Sequence, residues 1–311
     1  ADGSLTWFGG THREAAGYDL RGAFVGSEGT LGIVTKIAVR LLPKPEMIHS
    51  MLAAFTTMDA ASDTVSEIIA AGMVPAALEM MDRNTIDAVE PFYHPGYPKE
   101  AQAVLIVEVD GLIESVEEQT ETVLTICNKN GAMEIREADD EATRAKLWET
   151  RKGAIGAYGT IAPTYYLVDG VVPRTKLREV LQQVDQIAAE LEVTVANVFH
   201  AGDGNIHPAI LFNERNPAEV KQAILAGAKI LEACVAAGGA LSGEHGIGIE
   251  KQAYMPLVFT ENDLESMSRL RTAFIGESPK DAPIDVPSLA ERFNPGKVFP
   301  GGAIHGEAYG I

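Results

Sequence analysis

From Ile48 onward, short apolar runs alternate with segments of helical period, and this alternation constrains the fold more than any other feature of the chain. The apolar runs fall at Met51 to Phe55, Ala76 to Met81, Ala103 to Val109, Thr194 to Phe199 and Ile206 to Leu211. Helical periodicity covers Ala60 to Ala71, Ser115 to Asn130, Asp139 to Ala157, Arg174 to Glu190 and Pro217 to Ala237. The last of these opens on Pro and is followed by Gly238-Gly239, the expected punctuation of a helix. Elements of these lengths, interleaved in this way, predict an α+β domain with a sheet covered on one side by helices. Ahead of it, Ser4 to Leu42 alternates apolar pieces with glycine-rich turns and ends in a strand-like run, Ile33 to Leu42. Pro43-Lys44-Pro45 then reads as a boundary, and Phe274 to Phe293, which has no clear period, reads as an exposed loop. The chain opens without Met in what reads as the middle of a β-rich segment, so residues upstream are expected.

A chain of 311 residues with 46% hydrophobic content can bury one large core or two ordinary ones. Its net charge of −19 argues against nucleic acid, which is bound by clustered Lys and Arg. If the substrate is an anion, the field of the whole molecule opposes it, so a local cation must hold it. Cys127 and Cys234 lie far apart in helical stretches, which suggests core thiols rather than a disulfide framework or a cysteine metal site. No apolar run approaches the roughly 18 residues of a membrane span, and the first residues resemble no signal peptide; the cytoplasm is the default expectation.

Two glycine-punctuated segments carry the chemistry. His200-Ala201-Gly202-Asp203-Gly204-Asn205-Ile206-His207 forms a turn between two expected strands, which puts both imidazoles at one end of the sheet. Ser242-Gly243-Glu244-His245-Gly246-Ile247-Gly248 follows the long helix, and its glycines let backbone approach closely while polar side chains are displayed. Two His and a carboxylate form a ligand set suited to zinc, manganese or ferrous iron. The same histidines could instead satisfy backbone groups in the turn, and Asp203 could ligate or simply shape it. A third segment, Gly26-Ser27-Glu28-Gly29-Thr30-Leu31-Gly32-Ile33, either presents bare N–H groups to an anion or flat ring, or makes an ordinary hairpin.

Taken in order, these segments resemble the flavoprotein family that contains the glycolate oxidase D subunit, D-lactate dehydrogenases and D-2-hydroxyglutarate dehydrogenases. Besides the three glycine-rich segments, the matching pieces are Tyr165-Tyr166 to Asp169 with Val172-Pro173-Arg174, and Asn294-Pro295-Gly296-Lys297. The resemblance implies the end of a vanillyl-alcohol-oxidase-type FAD domain over residues 1–45. It implies an α+β cap, or substrate, domain over 46–290 and a segment returning toward the flavin domain over 291–311. It further implies that Gly26, Ser27, Glu28, Gly29, Thr30, Gly32, Ile33 and Asn294 contact FAD, held weakly or not at all without the family's upstream pyrophosphate loop. His200, His207 and Glu244 match the family's metal ligands, with zinc the first expectation; His245 matches its proposed base, and Arg151 the Arg that grips the substrate carboxylate. Leu167 stands where the hydroxyglutarate enzymes carry a Lys, which points to a monocarboxylate.

The function so implied is oxidation of a small 2-hydroxy acid such as glycolate or D-lactate to the 2-oxo acid, with FAD taking the hydride. In the glycolate oxidase complexes of this family an iron–sulfur subunit receives the electrons, and membrane association would then come through partner subunits; this chain has too few cysteines to hold such a cluster itself. A non-catalytic cap module that binds metal or a partner subunit is the alternative. A metal-dependent hydrolase is a third reading, under which Gly26 to Thr35 would have no role.

Overall fold

The computed structural model describes residues 3–10, 17–138 and 140–276. In chain order its elements are α1 (Leu20–Phe24), β1 (Met47–Phe55), α2 (Met58–Ala70), β2 (Ala77–Asp82), α3 (Arg83–Tyr93), β3 (Ala103–Gly111), α4 (Ile113–Lys129) and β4 (Glu134–Ala138). There follow α5 (Glu141–Ala157), β5 (Thr164–Leu167), β6 (Gly170–Val171), α6 (Leu177–Leu191), β7 (Thr194–His200), β8 (Asn205–Ile206), β9 (Pro208–Phe212), α7 (Pro217–Ala236) and α8 (Glu261–Ile275). They fall into two compact units. One takes in the described residues up to Pro43 and those from Gly246 onward; the other runs from Lys44 to His245. Within the second glycine-rich segment the chain thus passes, at Gly246, to the unit that holds the first 43 residues.

The larger unit is built on a nine-stranded sheet in the order β4-β1-β3-β2-β7-β8-β6, with β9 pairing both β7 and β5. Every pairing is antiparallel. Successive side chains of a strand point to opposite faces. Leu52, Ala54, Val104, Ile106, Ala196 and Val198 therefore share one face, where they pack against Val89 of α3 and Leu147 and Ala154 of α5. On β5, Tyr165 packs against this same cluster, whereas Tyr166 points the other way and lies against Gly227 of α7. Helices thus cover both faces, not the one expected. The physical reason lies in strands such as β3, whose first seven residues are all buried: a strand apolar on both sides needs cover on both sides.

α3, which the sequence pattern did not announce, starts from a buried carboxylate. Asp82 caps the helix by accepting the Thr85 N–H through Oδ1 at 2.8 Å. Its Oδ2 accepts the backbone N–H and the Nδ2 of Asn197 on β7 at 2.8 and 2.9 Å. Asp82→Ala strands these donors in the interior, and an unsatisfied buried donor costs about 1–3 kcal/mol. The variant is expected to lose on the order of 3 kcal/mol in urea denaturation; a loss within error of zero would show the cap to be dispensable.

The run expected as one strand, Ile206 to Leu211, is interrupted at His207 into β8 and β9. Cys127 and Cys234 are buried thiols outside any disulfide, and burial pushes the Cys127 thiol up to about 12.

In the smaller unit, Phe8, Phe24 and Phe274 form a ring cluster with centroids 5.5 to 6.0 Å apart. The strand expected over Ile33 to Leu42 does not form, and no strand occurs among the described residues up to Pro43. Ile33 and Leu41 are 88% and 85% exposed, and a strand-like sequence becomes a strand only when another segment satisfies its N–H and C=O groups. No described helix is long and apolar enough to cross a membrane. The loop expected over Phe274 to Phe293 falls, from residue 277, outside the described residues.

Candidate active site

β7 ends at His200, and the turn of Ala201 to Gly204 brings the chain back into β8 with Asn205 opposite His200. Gly204 has φ +72, and a Cβ there would lie 2.1 Å from the Val172 carbonyl oxygen, so only glycine lets this turn close. Arg174 donates to the Gly202 carbonyl at 3.1 Å and braces it further. His207 follows two residues later, almost wholly buried.

The second glycine-rich segment is held by Asp169, which lies between β5 and β6 and is fully buried. It accepts the backbone N–H of Gly243, Glu244 and His245 at 3.0, 3.2 and 3.0 Å and the Ser242 hydroxyl at 2.7 Å. Successive N–H groups converging on one anion form a nest, here filled by a side chain of the protein itself. Gly243 is required because a Cβ would sit 2.4 Å from the amide carbon of Asn205. The result is that Glu244 and His245 project from a loop tied to the sheet.

The three imidazoles converge. Nε2 of His200, His207 and His245 lie 3.4, 3.2 and 3.4 Å from Oε1 of Glu244. The ring of His207 sits 5.2 Å from each of the other two. The ligand atoms of His200, His207 and Glu244 all lie within 4.8 Å of one another, as do those of Asp169, His207 and His245. Of these two sets the first suits a cation better, since Asp169 is already engaged by four donors. His207 Nε2 is buried and makes no hydrogen bond despite lying 3.2 Å from Glu244, so no N–H of that ring is directed at the carboxylate oxygen. Two ligands about 2.0–2.2 Å from a tetrahedral ion stand roughly 3.3–3.5 Å apart, the spacing seen here between Glu244 and the imidazoles. Orphaned nitrogen, N/O donors and spacing all fit a divalent metal held by His200, His207 and Glu244.

Arg151, on α5, joins this cluster through a residue not singled out from the sequence. Glu79 of β2 stands directly across from His200 in the sheet register. Its Oε1 bonds His200 Nδ1 at 2.6 Å, and its Oε2 accepts Arg151 Nε–H at 2.8 Å. Burial would raise the Glu79 carboxyl, but the His200 and Arg151 contacts outweigh it and hold it below the usual range. The hydrogen bond that His200 makes to Glu79 in turn raises His200. One turn and two turns back along the same face of α5, Trp148 and Arg144 both bond the buried Glu108 of β3, which anchors the helix to the sheet. The only sequence signal for Glu79 was a carboxylate inside the apolar run Ala76 to Met81; Asp169 offered no spacing to read.

Gly26 to Ile33, which the resemblance led one to expect at FAD, lie in the smaller unit. Gly26 to Thr30 form a tight turn after α1 rather than a hairpin, with Thr30 Oγ1 donating to the Ser27 carbonyl at 2.6 Å. Gly26 and Gly29 have φ +82 and +76, and a Cβ on either would meet nothing within 4 Å, so the turn is open on that side. Gly32 has φ +149 and packs beside Phe24, and Ile33 is exposed. The carboxylate of Glu28 accepts the Ile247 N–H at 2.6 Å, so it fastens the segment that follows His245. Asn294 lies outside the described residues.

Comparison with known proteins agrees with this architecture. Residues 44–274 match the family described as FAD linked oxidases, C-terminal domain. The glycolate oxidase subunit GlcD of Escherichia coli (strain K12) is 43% identical over 93% of this chain and 58% of its own length. The subunit of the same name from Bacillus subtilis (strain 168) is 38% identical over 96% of this chain and 61% of its own. A probable mitochondrial D-lactate dehydrogenase of Danio rerio is 32% identical over 96% and 58%. The chain thus spans about three-fifths of the length of the curated relatives it matches. Among solved structures, substrate-bound p-cresol methylhydroxylase superposes with a TM-score of 0.64 at 14% identity, over 88% of this chain and 59% of that one. The α+β fold is accordingly that of vanillyl-alcohol-oxidase-type enzymes. On its sequence and its fold, the chain belongs to the FAD-linked oxidase family, whose C-terminal domain it carries over residues 44–274.

Proposed function

We propose that the complete protein oxidises a small 2-hydroxy acid, such as glycolate or D-lactate, to the 2-oxo acid. The observation that carries this reading is the meeting of His200, His207, Glu244 and His245 with Arg151 at one end of the sheet. Arg151 uses only its Nε on Glu79, and its terminal nitrogens bond none of the described residues, which leaves a charged fork for a carboxylate. It is the local cation that a chain of charge −19 needs to hold an anion. His200, His207 and Glu244 hold a divalent metal, zinc in the first instance. When bound, FAD supplies the hydride acceptor and the metal a Lewis-acid charge at the substrate hydroxyl. His245 takes the hydroxyl proton, an imidazole being the side chain that titrates nearest neutrality. Gly26, Ser27, Gly29, Thr30, Gly32 and Ile33 border the flavin, with Glu28 shaping that turn and Asn294 contributing from the C-terminal segment.

Leu167, an apolar side chain packed against the core cluster, stands where the resemblance to hydroxyglutarate enzymes calls for a Lys, which favours monocarboxylates. Two relatives are named as subunits of glycolate oxidase, and an iron–sulfur partner subunit as electron acceptor accords with that. A non-catalytic cap module has no observation in its favour. Anaerobic addition of glycolate or D-lactate to the complete flavoprotein is expected to bleach the flavin absorbance, whereas glycine or acetate should not. Failure of every small 2-hydroxy acid to reduce the flavin would overturn the reading.

A further inference from the structure

The machinery described so far accounts for every group at the site except the carboxylate that joins two of them. Glu79 is buried in β2, and the antiparallel register sets it opposite His200. Its two oxygens are divided between His200 Nδ1 and Arg151 Nε, at 2.6 and 2.8 Å. An ionised carboxylate only accepts hydrogen bonds, so the His200 Nδ1 it touches must carry the hydrogen. Nε2, which lies 3.4 Å from Glu244, then carries the lone pair. The same carboxylate fixes Arg151 by its inner nitrogen.

We propose that Glu79 is a positioning residue for both anchors of the site, locking His200 in the tautomer that can ligate and holding Arg151 where its outer nitrogens are left for substrate. The first half rests on His200 being a metal ligand; the tautomer itself does not. Because one carboxylate serves both neighbours, the isosteric amide cannot. In Glu79→Gln a single oxygen and a single NH2 face two donors. Arg151 cannot give up its proton, so the amide oxygen goes to Arg151 and the amide N–H to His200 Nδ1. The imidazole must then accept there and carry its hydrogen on Nε2, the atom needed as a ligand.

Nitrogen NMR of the imidazoles in the metal-free chain, at a pH where His200 is neutral, reads this directly. The wild type is expected to show His200 protonated at Nδ1 and Glu79→Gln to show it protonated at Nε2. Zinc titration of the same two samples should show affinity lowered by about 10- to 100-fold in the variant, the range for partners that orient a histidine ligand. A wild-type His200 already protonated at Nε2 overturns the proposal without any variant, and so does a Glu79→Gln protein that keeps the Nδ1 hydrogen. His207→Ala is titrated beside them. If the wild type takes up no zinc, or the His207 variant takes up as much, the metal reading fails, while the tautomer still decides the role of Glu79.

Discussion

In the complete flavoprotein, replacing His245 with alanine is expected to lower turnover by about 10²- to 10⁴-fold, the usual worth of a positioned general base. The expectation follows from where the loop places the ring. Asp169 holds the backbone N–H of His245 at 3.0 Å, so the side chain leaves a fixed peptide instead of a mobile turn. The His245 side chain is 39% exposed and that of His207 only 5%, although both approach the same Glu244 oxygen. The exposed ring can meet a substrate hydroxyl; the buried one cannot. Arg151 and the three proposed metal ligands are untouched by the change, so KM should move far less than kcat and metal content should stay the same. Steady-state rates with glycolate and D-lactate, together with the rate of flavin reduction, measure this. A turnover within a few-fold of wild type would remove His245 from the role of base.

The second large effect is expected at His207. Its Nε2 is buried without a hydrogen bond, an arrangement that costs about 1–3 kcal/mol in a metal-free interior and that a bound cation would relieve. Purified gently, the chain is expected to carry roughly one divalent ion, and His207→Ala to lose at least the tenfold to hundredfold in affinity that even an orienting partner is worth. Elemental analysis and zinc competition titration of both proteins provide the check. A metal-free wild type that cannot be loaded, or a variant that binds equally well, would make His200, His207 and Glu244 substrate-binding or structural residues. Catalysis would then fall to His245 and Arg151.

Much of this was legible one residue after another. Periodicity marked β1, β2, β3, β7 and the helices α2, α4, α5, α6 and α7, because burial of a strand or a helix stripe writes itself into local spacing. The glycines around His200, His207, Glu244 and His245 advertised turns that carry polar side chains, because φ at Gly204 and contact at Gly243 admit no other residue. The short edge strand β4, with its charged Glu134, Arg136 and Glu137, and the helix α3, with Pro91 inside it, lack a clean period and went unread. The run Ile33 to Leu42 has the period of a strand but lies without a strand partner among the described residues, since pairing is a property of two segments and not of one.

What the sequence by itself determined is the inventory: which residues could bind a metal, move a proton or hold a carboxylate, and which turns display them. What only the tertiary structure decided is their meeting. Arg151 reaches His200 through Glu79, 72 residues away along the chain from the one and 121 from the other, and Asp169 fastens a loop some 75 residues on. Those distances close through strand register and helix packing, which depend on long-range burial and leave no local trace in the order of the residues.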